Sequence, residues 1–350
     1  MSLDETLIND LQVLGKENAD IFRELDSKTI FLSGATGLIG STLIQAIITN
    51  THSAKVIAFV RNADKAKKLF QDIDPNGKRI SYVTGDIRNG IDVDEPIDYI
   101  IHAASETSSK SFVEAPISVI EIAIGGTRNM LELAHQKKVK GFVYLSSMEV
   151  YGTPHDDEKI LESHGTDLDT MSVRTSYPES KRLCESLCAS YASELKVPAK
   201  VVRLTQTFGP GVQYNDGRIF AELSRCAIEG RDIVLHTKGE TKRNYLYTLD
   251  AASAILTVLT KGNFAEAYNA ANEETYCSIY EMAQLVAQMV APEITQNRIQ
   301  VKIEEGDISS FGYAKTLHMN LDTTKLKQLG WQARTGLYQM FAKTIQSIHP

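Results

Sequence analysis

The sequence predicts an α/β protein, a doubly wound parallel sheet followed by a smaller C-terminal α+β domain. Three observations carry that expectation. Short apolar runs alternate with helical stretches through the first 207 residues, as they do when both faces of a parallel sheet are covered. The first of these runs, TIFLSG, opens straight into a glycine-spaced turn and a helix. After Phe208 the rhythm loosens, beginning with Gly-Pro-Gly at 209–211.

The elements follow in order. Residues 1–27 form an N-terminal helical arm: Leu7, Ile8, Leu11, Leu14, Ile21, Phe22 and Leu25 recur at helical spacing, and Gly15 is expected to interrupt them. The arm is expected to pack on the main domain or on a partner subunit. Residues 28–207 then read as strand TIFLSG, helix LIGSTLIQAIITN, strand KVIAFVRN, helix ADKAKKLFQDI, and strands RISYVTGD and PIDYIIHAAS. A helix through GTRNMLELAHQ leads to strand GFVYLSS, and a helix from Tyr177 to about Leu195 leads to strand AKVVRLTQT. Residues 208–350 form mainly the second domain, with helix FAELSRCAIEG and strand DIVLHT, while segments near 243–272 return to the first.

Composition narrows the class. With 43% hydrophobic and 23% charged residues the 350-residue chain is globular, and it lacks the run of roughly 18 apolar residues that a membrane span needs. A net charge of −7 argues against nucleic acid as a partner. The N-terminus carries acids where a secretory leader needs positive charge, so a cytoplasmic protein is expected. Cys184, Cys188, Cys226 and Cys277 form no CxxC pair, which fits buried thiols, and no metal is expected. The acidic, His-containing stretch PHDDEKILESHG (154–165) lacks zinc-like spacing and reads as a solvated loop.

The turn Gly34-Ala35-Thr36-Gly37-Leu38-Ile39-Gly40 carries the first chemistry. Gly34 permits the tight turn, Gly37 lets backbone approach a pyrophosphate, and Gly40 seats the helix close to the sheet. The helix N-terminus then offers N–H donors to the anion, so a dinucleotide is the expected ligand. About 20 residues on, where an acid would hold a ribose 2′-hydroxyl, the chain has Arg61 and Asn62. An Arg pairs with a 2′-phosphate, which favours NADP over NAD.

Tyr177 and Lys181, four apart on a predicted helix, share one face. A free phenol with pKa near 10 is a poor base at pH 7. A neighbouring ammonium and a bound oxidised nicotinamide would both favour the phenolate, bringing Tyr177 into range for proton transfer. Strand GFVYLSS ends nearby in Ser146 and Ser147.

With these features in register, residues 28–335 resemble the extended short-chain dehydrogenase/reductase family, specifically its nucleotide-sugar epimerase/dehydratase group. UDP-glucuronate decarboxylases and sugar 4,6-dehydratases are the most similar branches. Further motifs carry the resemblance: GDI (85–87), HAAS (102–105), SMEVYG (147–152), RLTQTFGPG (203–211), RNYLYTLD (243–250), AYNAAN (267–272) and LGW (329–331). The resemblance implies a Rossmann domain binding NAD or NADP, a nucleotide-diphosphate sugar as substrate, a 4-keto intermediate and a homodimer. It implies Tyr177 as acid/base, Lys181 as its partner and ribose ligand, Ser147 as the hydroxyl holding the reacting oxygen, and Glu149 acting near C5 of the sugar. The cofactor site it implies takes in Gly34, Thr36, Gly37, Leu38, Ile39, Gly40, Arg61, Asn62, Asp86, Ile87, Ala103, Ala104, Ser105 and Leu204, besides Tyr177 and Lys181. The substrate side takes in Gln206, Arg218 and Arg243. Three positions depart from the pattern: Met148 replaces the Asp acid of many 4,6-dehydratases, Gln206 replaces an Asn, and Ala123 replaces an Asn behind the cofactor. Two rival readings stay open: an NADPH-dependent reductase of a nucleotide-linked sugar or alditol, which Arg61 favours, and a non-catalytic dinucleotide-binding protein, which the intact Ser147, Tyr177 and Lys181 oppose.

Overall fold

The structure, a computed structural model, describes residues 5–165, 167–305 and 316–348; the first four residues of the arm lie outside them. The chain begins with α1 (Glu5–Glu17) and α2 (Ala19–Leu25), then alternates β1 (Thr29–Ser33), α3 (Leu38–Asn50), β2 (Lys55–Val60), α4 (Ala63–Phe70), β3 (Ile80–Thr84) and β4 (Tyr99–His102). Helices α5 (Ser109–Glu114) and α6 (Pro116–Lys137) precede β5 (Gly141–Ser147), and α7 (Ser176–Leu195) precedes β6 (Ala199–Leu204). The remainder comprises β7 (Gln206–Phe208), α8 (Ile219–Glu229), β8 (Ile233–Leu235), β9 (Lys242–Tyr247), α9 (Thr248–Lys261), β10 (Ala267–Ala270), β11 (Asn272–Ser278) and α10 (Ile279–Leu285). A π-helix (Val286–Thr295), β12 (Val301–Ile303), β13 (His318–Met319), α11 (Thr324–Lys327) and α12 (Leu337–Ser347) close it.

Seven parallel strands form the main sheet in the order β10-β6-β5-β4-β1-β2-β3. Alternation along each strand assigns its side chains to one face or the other. Ile30 and Leu32 of β1 join the core shared with α3 and α9, whereas Phe31 joins the core under α6 and α7 with Met130, Leu131, Cys184 and Cys188. Strand order reverses between β1 and β4, and in such sheets ligands bind at that crevice, beyond the strand C-termini.

Two local expectations need correction. Gly15 does not interrupt the arm: α1 runs through it, and its lack of a side chain serves packing, since a Cβ there would lie 1.9 Å from Asn50 Oδ1. The missing side chain lets α1 cross α3 closely enough for the Asn50 amide to donate to the Leu11 carbonyl at 3.0 Å. The arm therefore packs on the main domain, burying Leu11, Ile21, Phe22 and Leu25. The single strand expected over AKVVRLTQT is two. At Thr205 the chain leaves the main sheet, its hydroxyl donating to the Asn244 carbonyl at 2.5 Å, and β7 pairs with β9 in a second sheet with β11 and β13.

The stretch 154–165 is exposed over 155–159 but anchored on the second sheet. Asp157 pairs with Lys242 at 3.1 Å and accepts from the Tyr276 hydroxyl at 2.6 Å, and Ile160 bridges to Leu321. It straps the two parts of the molecule together. Among the described residues no cluster of His, Cys, Asp and Glu is placed to hold a metal, and no helix is long and apolar enough to cross a membrane.

Candidate active site

The β1–α3 turn has the shape its glycines require. Gly34 sits at φ +72°, and a Cβ there would lie 2.7 Å from the Ala103 carbonyl carbon, so the β1 and β4 loops close against one another. At Gly40 a Cβ would lie 2.2 Å from the Gly34 carbonyl oxygen, which fixes how closely α3 approaches the sheet. A Cβ at Gly37 would meet nothing nearer than that same oxygen at 3.3 Å, leaving the outer side of the turn open. The first backbone N–H groups of α3, at Leu38, Ile39 and Gly40, have no acceptors within the helix. Open space beside oriented donors suits a pyrophosphate, so the residues present fit a dinucleotide.

Beneath the crevice, His102 ties the strands together. Its Nδ1 lies 2.8 Å from the Ser33 hydroxyl and its Nε2 3.2 Å from Thr127 Oγ1. Full burial, with the nearby Lys181 charge, lowers its pKa to about 3, so the imidazole is neutral. Sequence reasoning placed His102 within a motif without giving it this role.

The residues expected around the adenosine end have varied surroundings. Arg61 is exposed at the end of β2, and its charge reaches the Asp86 carboxylate. Asn62 caps α4, its side-chain oxygen accepting from Lys65 N–H at 2.9 Å. Asp86 takes the Arg88 guanidinium at 2.6 Å, which lowers its pKa to about 2. Ile87 is buried under Gly126 of α6. Ala104 N–H donates to the Ser33 hydroxyl at 3.3 Å, and the Ser105 hydroxyl donates to the Glu106 carbonyl. Leu204 ends β6 in register with Ser147.

The residues expected to transfer a proton come together at the end of β5. Tyr177 and Lys181 project from the first turns of α7, both buried. Lys181 Nζ donates to the Leu145 carbonyl at 2.7 Å and lies 5.6 Å from the centre of the Tyr177 ring. Burial lowers its pKa to about 8. The Ser147 hydroxyl lies beside the Tyr177 phenol and favours its ionised form, and it accepts from Glu149 N–H at 3.2 Å. Phe112 of α5 stacks on the phenol ring, centroids 4.3 Å apart.

The phenol differs electrostatically from the sequence expectation. Burial and the Glu149 charge raise its pKa above the ordinary 10, while Ser147 and Arg174 act the other way. Lys181 gives its hydrogen bond to backbone rather than to the phenol. In the protein alone, therefore, Tyr177 is a protonated acid, and Lys181 is not among the groups that lower its pKa.

Glu149 is held by a residue that sequence reasoning missed. Arg174, three residues before Tyr177, contacts both Glu149 oxygens, Nη1 to Oε2 at 2.9 Å and Nη2 to Oε1 at 3.4 Å. It lies in a single 3-10 turn, Val173–Thr175, where no periodicity marks it. Met148, the departure beside Glu149, is buried with Tyr151, Ile160, Leu317 and Leu321. The Thr205 hydroxyl, which donates to the Asn244 carbonyl, lies 3.3 Å from the sulfur.

Of the residues expected to bind substrate, Gln206 of β7 and Arg243 of β9 come together, with Arg243 Nη1 3.4 Å from Gln206 Oε1. Arg243 Nε is buried without an acceptor among the described residues. Arg218 instead sits at the start of α8, paired with Asp216 and stacked over Phe220.

An α/β sheet with an open glycine turn at its strand reversal, and a Ser, Tyr and Lys beside it, defines a dinucleotide-binding enzyme of the short-chain dehydrogenase/reductase class. The profile of the NAD dependent epimerase/dehydratase family matches residues 30–271, and the chain belongs to that family. It is 28% identical over 326 residues to UDP-glucuronic acid decarboxylase 1 of Xenopus tropicalis, spanning 92% of this chain and 72% of that protein. It is 25% identical over 331 residues to dTDP-D-glucose 4,6-dehydratase of Bos taurus, spanning 91% and 88%. Among solved structures, UDP-glucuronic acid 4-epimerase of Bacillus cereus in complex with UDP-glucuronic acid and NAD superposes with a TM-score of 0.74 at 20% identity. That match covers 91% of this chain and 98% of that one, a likeness of fold.

Proposed function

We propose that this enzyme oxidises a nucleotide-diphosphate sugar at C4, acts on the resulting 4-keto sugar near C5 and C6, and then reduces it again. The observation that carries this reading is the meeting of Ser147, Tyr177 and Lys181 at the end of β5, with Glu149 beside them. A bound dinucleotide would supply the redox chemistry, as reversible acceptor of the C4 hydride. The protein does the rest. Ser147 holds the C4 oxygen, Tyr177 takes and later returns its proton, and Lys181 is the buried cation facing the ribose. Glu149 moves a proton at C5: it removes or returns the C5 proton of the 4-keto sugar or, where C6 is a carboxylate lost as CO2, serves the proton that takes its place on C5. Gln206 and Arg243 bind the sugar nucleotide, the buried Arg243 Nε supplying a donor that lacks a partner.

Met148 favours decarboxylation or epimerisation over 4,6-dehydration. The thioether at this position is buried among apolar side chains and carries no proton to give a leaving C6 hydroxyl. NAD is the better-supported dinucleotide, because solved structures that share this fold, the Bacillus cereus epimerase among them, hold NAD. The NADP and net-reductase readings keep the exposed Arg61 on their side. A homodimer would cover Ile117 and Ile120 of α6 and Leu183 of α7, all exposed.

The test is to denature the purified protein, identify the released dinucleotide by mass, and follow UDP- and dTDP-sugars, UDP-glucuronate included, by NMR. Released NAD with a converted sugar and no net redox is expected. Net consumption of reduced nicotinamide would establish the reductase instead. Replacing Tyr177→Phe is expected to slow turnover about 10²- to 10⁴-fold, and an unchanged rate would remove Tyr177 from the mechanism.

A further inference from the structure

The Glu149–Arg174 pair has a consequence for how two anions share one site. During proton transfer Tyr177 becomes a phenolate while Glu149 is already a carboxylate, and each disfavours the charge on the other. Arg174 grips both oxygens of Glu149. Its guanidinium also lies 5.7 Å from the centre of the Phe112 ring, which stacks on Tyr177. The pair is only about a quarter exposed, so solvent screens it incompletely.

We propose that Arg174 is a positioning residue that orients Glu149 toward the sugar and balances its charge, so that Glu149 and the Tyr177 phenolate exist side by side during turnover. This rests on the reading above of Tyr177 as the C4 acid/base.

The groups facing Tyr177 are few enough to test the idea. Its own helix contributes Lys181, and β5 contributes Tyr144, whose ring lies 4.7 Å from Lys181 Nζ. His102 of β4, against Tyr144, is neutral. Helices α5 and α6 meet the phenol with apolar Phe112 and Val119. Glu149 and Arg174 thus bring opposite charges to the same ring, the first raising and the second lowering its pKa.

The experiment compares the holoenzyme with Arg174→Gln, Arg174→Lys, Glu149→Gln and the double variant Glu149→Gln/Arg174→Gln. Single-turnover C4 oxidation, read as growth of reduced-nicotinamide absorbance, is recorded against pH, with circular dichroism as the folding control. Removing a cation raises a phenol pKa, so the ascending limb for Arg174→Gln is expected to move up by about one pH unit, roughly a tenfold loss below the midpoint. Arg174→Lys should restore at least half of that shift, Glu149→Gln should move the limb down, and the double variant should lie between the two single Gln variants. A crystal structure of Arg174→Gln should show the Glu149 carboxylate displaced. An unmoved limb for Arg174→Gln, a double variant as shifted as Arg174→Gln alone, or an undisplaced Glu149 would overturn the proposal. Failure of the parent enzyme to oxidise any nucleotide sugar would instead refute the functional reading, and the crystal structure would still decide what Arg174 holds.

Discussion

Lys181→Met should stabilise the protein while abolishing its chemistry. Lys181 is buried, its pKa lowered from 10.5 to about 8 by loss of solvation. Its folded-state pKa lies below the unfolded one, so the charged amine destabilises the fold. That penalty is fully present below pH 8 and fades as pH rises from 8 to 10.5. At about 1.4 kcal/mol per pKa unit it amounts to roughly 3 kcal/mol at pH 7. Methionine removes it, fills nearly the same volume, and forfeits the hydrogen bond to the Leu145 carbonyl, worth about 1 kcal/mol. The net expectation is a variant about 2 kcal/mol more stable than the parent at pH 7. Urea unfolding of both proteins, stripped of dinucleotide, at pH 7 and pH 10 measures this. The difference should shrink to zero or change sign at pH 10, where the parental amine is largely neutral in the fold. A variant less stable at pH 7, or a difference independent of pH, would refute the reasoning that Lys181 is a desolvated cation kept for function.

The two glycines of the turn should separate folding from binding. Gly40→Ala drives a methyl to 2.2 Å from the Gly34 carbonyl oxygen, and a loss of about 1–3 kcal/mol is expected by denaturant unfolding. Gly37→Ala meets that oxygen only at 3.3 Å, so stability should change little while dinucleotide retained through purification, measured by mass, falls sharply. Gly15→Ala should loosen the arm, because its methyl would lie 1.9 Å from Asn50 Oδ1. Faster proteolysis between α1 and β1 is the expected readout, and unchanged protection would show that α1 adapts.

Several functional positions were legible because their chemistry is written in spacing. Gly34, Gly37 and Gly40 follow a strand and open a helix, so their backbone task is visible before any coordinates. Tyr177 and Lys181 share a helical face by their separation alone. Arg174 was not legible: it reaches Glu149 across 25 positions of chain, from a turn with no period. Gly15 was misread for a related reason, since its task belongs to Asn50 on another helix. The break at Thr205 is invisible in AKVVRLTQT because no glycine or proline marks it, while a hydrogen bond to Asn244 and pairing with β9 divert the strand to a second sheet.

The sequence by itself determined the succession of strands and helices, the shape of the glycine corner and the candidate acid/base pair, since each depends on neighbours within one or two helical turns. Only the tertiary structure decided the protonation of Tyr177, the neutrality of His102, the partner of Glu149 and the burial of Met148. Those depend on desolvation and on charges brought together through space, quantities that no local pattern of residues encodes.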